Sequence, residues 1–259
     1  MTKVIVITSG KGGTGKTTTA INLGAALNYF GKDVLILDGN VSTPNVGLHF
    51  GSPEVSINLN HVLSDDAELY EAIYEHESGL KIIPASLSIK DSEKINFKNL
   101  KNLKKEIAKL SDYVIIDGAA GLGEEALSII DMADDLIVVT NPEMPAVTDS
   151  LKAIKTAENT KKNILGVIVT RVKKDRVEMN SESVKEMLEV PVLGMIPEDI
   201  RIKKALNMKN AIIHTHPKSK PSRAYKEIAA KLANVDYDSN RDKENLLDKF
   251  FEKIRKKNK

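Results

Sequence analysis

Residues 9–18 read SGKGGTGKTT. A short apolar run, Val4–Thr8, precedes them and an amphipathic stretch, Lys16–Phe30, follows, so a glycine-rich turn joins a strand to a helix. Gly10, Gly15, Lys16 and Thr17 fill the phosphate-loop spacing G-x-x-x-x-G-K-[ST]. Gly10, Gly12, Gly13 and Gly15 let backbone N–H groups turn inward around phosphate oxygens. The helix beginning near Lys16 adds its positive end. Lys16 is expected to contact the β- and γ-phosphates of a nucleotide and the Thr17 hydroxyl to ligate Mg²⁺, with Thr14 and Thr18 completing the loop. Lys11 is one lysine more than this spacing requires.

Outward from the loop, short β-branched runs alternate with helical patterns. Strands are expected at Val4–Thr8, Val34–Asp38, Lys81–Pro84, Tyr113–Asp117, Leu136–Thr140, Ile164–Thr170 and Pro191–Ile196. Helices are expected at Lys16–Phe30, Phe97–Leu110, Glu124–Met132, Val147–Asn159 and Glu178–Leu188. Near-continuous apolar strands separated by helices indicate an α/β doubly wound, mainly parallel sheet with helices on both faces. Ligands of such sheets sit at the carboxyl ends of strands. Asp38 and Asp117 each close a strand beside the loop, where a carboxylate suits magnesium.

The chain has 259 residues, 41% hydrophobic and 29% charged, which suits a soluble globular protein. It contains no cysteine, which excludes a disulfide framework, thiolate–metal sites and iron–sulfur clusters. The opening MTKVIVITSG lacks the length and cleavage pattern of a signal peptide, and a cytoplasmic location is expected. Of the net charge of +2, residues 249–259 carry +5 (six basic residues against Glu252), which leaves −3 for the remainder. The polar stretch after Ala233 marks a boundary: a nucleotide-binding domain over 1–233, a linker over 234–245 and a tail helix over 246–259.

The segment KGGTGKTT resembles the deviant Walker A motif of the MinD/ParA family of P-loop NTPases, whose signature lysine follows the first glycine. VLILDGN resembles its switch I, YVIIDGAAGLG its switch II, and VVTNPEMPAVTDSLKAI, GVIVTRV and VLGMIPED follow in the family's order. The likeness runs from about residue 3 to 233 and is greatest to archaeal MinD-like proteins. It implies an ATPase with ATP and Mg²⁺ as cofactors and a homodimer in the ATP state, in which Lys11 reaches the partner's phosphate. Lys11, Lys16, Asp38, Asn40 and Asp117 are then the expected catalytic set, with Thr17, Asp38 and Asp117 around the metal. Thr170, Arg171, Pro197, Glu198 and Asp199 correspond to the adenine side, and Asp149 to the dimer or effector surface. Three positions depart from the family pattern. Asn40 replaces the second switch I acid, so slow hydrolysis is expected, because an amide cannot accept water's proton. Ala119 replaces the usual switch II proline, which should loosen that loop. Thr170 replaces the asparagine that reads the base.

The tail NLLDKFFEKIRKKNK places Leu246, Leu247, Phe250, Phe251 and Ile254 on one helical face about 140° wide. This suits an anionic membrane surface, as the resemblance to the MinD targeting sequence also implies, or docking on the chain's own domain or on a partner protein. One tail should bind weakly, and two on a dimer about 10²–10⁴ times more strongly. The expectation is peripheral attachment to the inner face of the cell membrane in the ATP state, positioning division or other machinery together with an unidentified activator or cargo protein. The alternative is a ParA-like DNA-associated segregation ATPase. Two basic stretches bear on it: Arg201, Lys203, Lys204, Lys209, Lys218, Lys220, Arg223 and Lys226, and Lys98, Lys101, Lys104, Lys105 and Lys109; neither is interleaved with aromatics and the body is net acidic, so solvated faces are the expected reading of both. A metabolic P-loop synthetase would need a substrate pocket with its own acids and bases, and no such cluster is evident; His214 and His216 read as surface residues.

Overall fold

The computed structural model describes residues 2–242, apart from 53, 54, 93, 94, 96, 97, 122, 174 and 176. Its strands are β1 (Lys3–Ser9), β2 (Val34–Asp38), β3 (Tyr74–Glu75), β4 (Lys81–Ile83), β5 (Tyr113–Ala120), β6 (Asp135–Thr140), β7 (Asn163–Val172) and β8 (Val192–Pro197). They form one sheet in the order β3-β4-β2-β5-β1-β6-β7-β8. Every pairing is parallel except β3 with β4.

The central strands are apolar throughout because both faces are covered, and the two-residue period sorts their side chains. Ile5, Ile7, Ile36 and Ile115 pack on one face with Ile21 and Leu27 of the Lys16–Tyr29 helix and Tyr225 and Ile228 of the Lys220–Ala233 helix. Val4, Val6, Leu35, Leu37, Val114 and Ile116 turn to the other face, against the Lys98–Ile107 and Glu124–Met132 helices. Val138, Val167 and Val169 pack with the Met144–Asn159 and Ser181–Leu188 helices. The chain is therefore doubly wound, as its strand pattern implies.

Several boundaries differ from the sequence expectation. β5 continues past Asp117 to Ala120, with Ala120 in register with Ser9. Alanine at 119 keeps the N–H that proline would remove, so this segment stays in the sheet instead of loosening. β3 was not expected; two residues are too few to show a period. The helices Ile200–Asn207, Ile212–Thr215 and Lys220–Ala233 occupy a stretch noted only for its charge. Their starts are nonetheless signalled locally: Asp199 accepts from Arg201 N at 2.9 Å, and Ser219 caps a helix with proline in its first turn.

The Lys220–Ala233 helix ends at Asn234, which adopts the left-handed conformation (φ 52°), and the chain then folds back. Tyr237 meets Phe30 edge-on at 5.5 Å, its hydroxyl donates to Asp242 at 2.8 Å, and Asp242 pairs with Lys226 at 2.7 Å. Tyr237 and Asp242, within the stretch 234–245 expected as a linker, are thus held against the body. The expected tail helix, with Leu246, Leu247, Phe250, Phe251 and Ile254, lies outside the described residues.

Candidate nucleotide site

The loop after β1 wraps the start of the Lys16–Tyr29 helix. Gly13 (φ 76°) and Gly15 (φ 96°) both occupy the left-handed region, which non-glycine residues enter at a cost. Gly10 has another reason: a Cβ there would lie 2.1 Å from the Asp149 carbonyl oxygen. The Met144–Asn159 helix is thereby docked on the loop through Asp149's backbone, while the Asp149 side chain pairs with Lys152 at 3.4 Å. The Lys16 helix starts with no side-chain cap and no acid in its first turn, so its N–H groups and positive end are available to an anion. Lys16 is buried, and burial lowers its pKa against the opposing charge of Asp117. Lys11 is half-buried; its carbonyl accepts from the Ser9 hydroxyl at 2.7 Å, and its ammonium has no partner among the described residues.

Strand pairing brings the two acids together. Asp38 and Asp117 are register partners across β2 and β5, both fully buried. The Thr17 hydroxyl donates to Asp117 Oδ2 at 2.5 Å, whereas Asp117 Oδ1 is buried with no hydrogen-bond partner among the described residues. Asp38 accepts from the backbone N–H groups of Asn40 (3.3 Å), Asn45 (2.9 Å) and Val46 (2.9 Å). Burial pushes both carboxyls up, Asp117 to about 6 despite its Thr17 hydrogen bond and the Lys16 charge. Asp38 is raised further by the charge of Asp117, with its three N–H partners opposing. An orphaned carboxylate oxygen beside a hydroxyl is a hard-oxygen set that fits magnesium, which takes few protein ligands and completes its shell with water and phosphate. Asn40 meets the acids through its backbone N–H, and its side chain turns to Thr43: its amide donates to Thr43 O at 2.7 Å and accepts from the Thr43 hydroxyl at 3.1 Å.

A cavity of about 240 Å³ opens beside the loop. Its walls bring together Gly15 and Thr18 of the loop with Thr170, Arg171, Pro197, Glu198 and Asp199, the residues expected on the base side, over an apolar floor that includes Ile21 and Ile212. Their side chains are less free than the sequence suggests. The Thr170 hydroxyl, expected near the base, donates to the Thr14 carbonyl at 2.5 Å and accepts from Asn141 Nδ2 at 2.9 Å. Asp199 caps its helix and pairs with Arg201 at 2.7 Å; burial raises its pKa, but Arg201's hydrogen bonds and charge outweigh this and hold it low. Arg171 sits at φ 57° where β7 shifts register against β8. Asn141, His49 and Tyr225 were not anticipated. Asn141 follows an apolar strand directly, a position at the carboxyl edge that could have marked it, whereas His49 and Tyr225 reach the cavity only through tertiary packing.

The longer basic stretch does not form one solvated face. Arg201 is engaged by Asp199, and the Lys226 side chain is only 2% exposed, with its ammonium 4.0 Å from the Tyr29 ring centre. In the second stretch Lys104 pairs with Asp134 at 2.9 Å. Among the described residues, no helix is long and apolar enough to cross a membrane, and no group of three or more histidine or acidic side chains could hold a metal.

Comparison with known proteins agrees with this geometry. Residues 5–212 match the model of the CobQ/CobB/MinD/ParA nucleotide binding domain. An uncharacterised ATP-binding protein of Methanocaldococcus jannaschii is 39% identical, over 97% of this chain and 96% of its own length. The septum site-determining protein MinD of Synechocystis is 32% identical, over 91% of each. The structure of the septum site-determining protein MinD of Pyrococcus horikoshii, complexed with Mg-ADP, superposes with a TM-score of 0.86 at 33% identity, over 90% of this chain and 96% of that one. With a phosphate loop, paired buried acids and an adjoining cavity on a doubly wound sheet, the chain belongs to the CobQ/CobB/MinD/ParA nucleotide-binding family.

Proposed function

We propose that the chain is a MinD-like ATPase switch that dimerises on ATP and attaches reversibly to an anionic membrane surface through its basic C-terminal segment. Lys16, the loop N–H groups and the helix start hold the phosphates of ATP. Thr17, Asp117 and Asp38 hold or support Mg²⁺, which neutralises phosphate charge when bound. The Mg-ADP complex of the similar Pyrococcus protein supports this pairing. One observation carries the switch: Lys11 lies half-buried in the phosphate loop with no partner among the described residues, so its charge is available to a second nucleotide. Asn40 supplies no carboxylate, and its amide is tied to Thr43, so turnover is slow.

The test is co-sedimentation of the full chain with anionic vesicles in ATP or ADP, beside Phe250→Glu and a chain ending at Asp242, which keeps the Lys226 pairing. The expected result is pelleting with ATP that both changes abolish. Pelleting that ignores nucleotide, or survives both changes, overturns the membrane cycle.

A further inference from the structure

We propose that Thr170 and Asn141 are positioning residues that clamp the peptide between Thr14 and Gly15, aiming the Gly15 N–H at bound phosphate and taking no part in choosing the base. The inference rests on the phosphate-loop reading above. Thr14 and Gly15 share one planar trans peptide, so the Thr14 carbonyl and the Gly15 N–H point in opposite directions. Thr170 Oγ1 holds that carbonyl at 2.5 Å, on the sheet side of the loop. A hydroxyl has one proton, and the Thr140 carbonyl, at 3.2 Å, competes for it less closely. Asn141 Nδ2 donates into the same oxygen at 2.9 Å, which leaves that proton for Thr14.

The clamp answers a weakness of the loop. Gly13 and Gly15 flank Thr14 in the left-handed region, and glycines let a peptide plane turn over cheaply. Nothing local to the loop therefore fixes which way the Thr14–Gly15 peptide faces. Thr14, Thr170 and Asn141 are all buried, so losing the hydroxyl leaves the Thr14 carbonyl only a long contact from Asn141 Nδ2 at 3.5 Å, and leaves that amide only this contact and the Thr170 carbonyl at 3.4 Å. Turning the peptide relieves that cost and withdraws the Gly15 N–H from the phosphate. The same bond occupies the Thr170 hydroxyl, which removes it from recognition of the base.

The experiment measures binding of ADP, ATP and GTP with Mg²⁺ by calorimetry or competition to the full chain, Thr170→Val, Thr170→Ser and Asn141→Ala. Thr170→Val is expected to weaken all three by a common factor of about ten, with the ATP-to-GTP preference unchanged. Thr170→Ser restores wild-type binding, and Asn141→Ala gives a smaller loss of the same uniform kind. A changed ATP-to-GTP preference, or unaltered binding by Thr170→Val, overturns the clamp. Should Thr170→Val not fold, Asn141→Ala decides in the same terms. A wild-type chain that binds none of the three overturns the phosphate-loop reading instead.

Discussion

Single residues in the loop divide between those that shape it and those that act through it. Gly10 shapes it, because the Asp149 carbonyl occupies the space a Cβ would take, 2.1 Å away. Backbone on both sides leaves no flexible group to yield, so Gly10→Ala should force the Met144–Asn159 helix and the loop apart. We expect at least tenfold weaker ADP binding in calorimetry, together with a lowered Tm; unchanged affinity and Tm would show that the helix is free to move. Lys11 has no such packing duty. Lys11→Ala should leave ATP affinity within about threefold while abolishing the ATP-dependent dimer in light scattering. Dimers that persist in this variant would sink the role in trans, since the added charge is then unnecessary.

Elements meet through irregularities that their sequences announce only in part. β7 contains Gly166 at φ 146°, where the pairing with β6 shifts register between Leu136 and Ile137. A Cβ there would lie 2.3 Å from the Pro191 carbonyl oxygen, just before β8. Gly166→Ala should therefore cost about 2–4 kcal/mol in urea unfolding, from backbone strain and overpacking together. A cost under about 1 kcal/mol would mean that the β8 edge shifts without resistance. The Lys16 helix is joined to its neighbour by another single side chain: Asn22 Oδ1 accepts from Ile212 N at 2.8 Å, and its amide donates to Thr18 O at 2.8 Å. That bond caps the start of the Ile212–Thr215 helix from a residue far earlier in the chain, and nothing in the local sequence reveals it.

At the scale of the whole molecule, the last described residues are held against the body by one buried ion pair. Lys226 is buried between the Tyr29 ring and Asp242, with Tyr237 donating to the same carboxylate. Burial pushes the Asp242 carboxyl up, but the Lys226 and Tyr237 hydrogen bonds and the Lys226 charge hold it below the ordinary 3.8. A carboxylate whose pKa is depressed by folding adds stability above its unfolded value and loses it as pH falls through the folded one. Asp242→Asn leaves a buried ammonium without its counter-charge and should cost about 2 kcal/mol at neutral pH. The gap from wild type should close below pH 3.8 in acid denaturation series. A gap that does not change with pH would assign the effect to packing and not to the ion pair.

The sequence alone determined most of the sheet and the chemistry of the loop, because both are written in short-range terms. Seven strands were legible from apolar runs bounded by polar turns, and the phosphate loop from glycine and lysine spacing on a strand-to-helix turn. Asp38 and Asp117 were legible as strand-end acids, although β5 runs on beyond Asp117. Tertiary structure alone decided which groups face one another. Thr170 meets a loop carbonyl 156 residues earlier, Asp149 meets Gly10 through its backbone, and Lys226 leaves the basic stretch for a buried ion pair. The physical reason is that glycine conformation and hydrophobic period are properties of neighbouring residues. The partner of a buried hydroxyl or ammonium depends instead on strand order and on which helix covers which face.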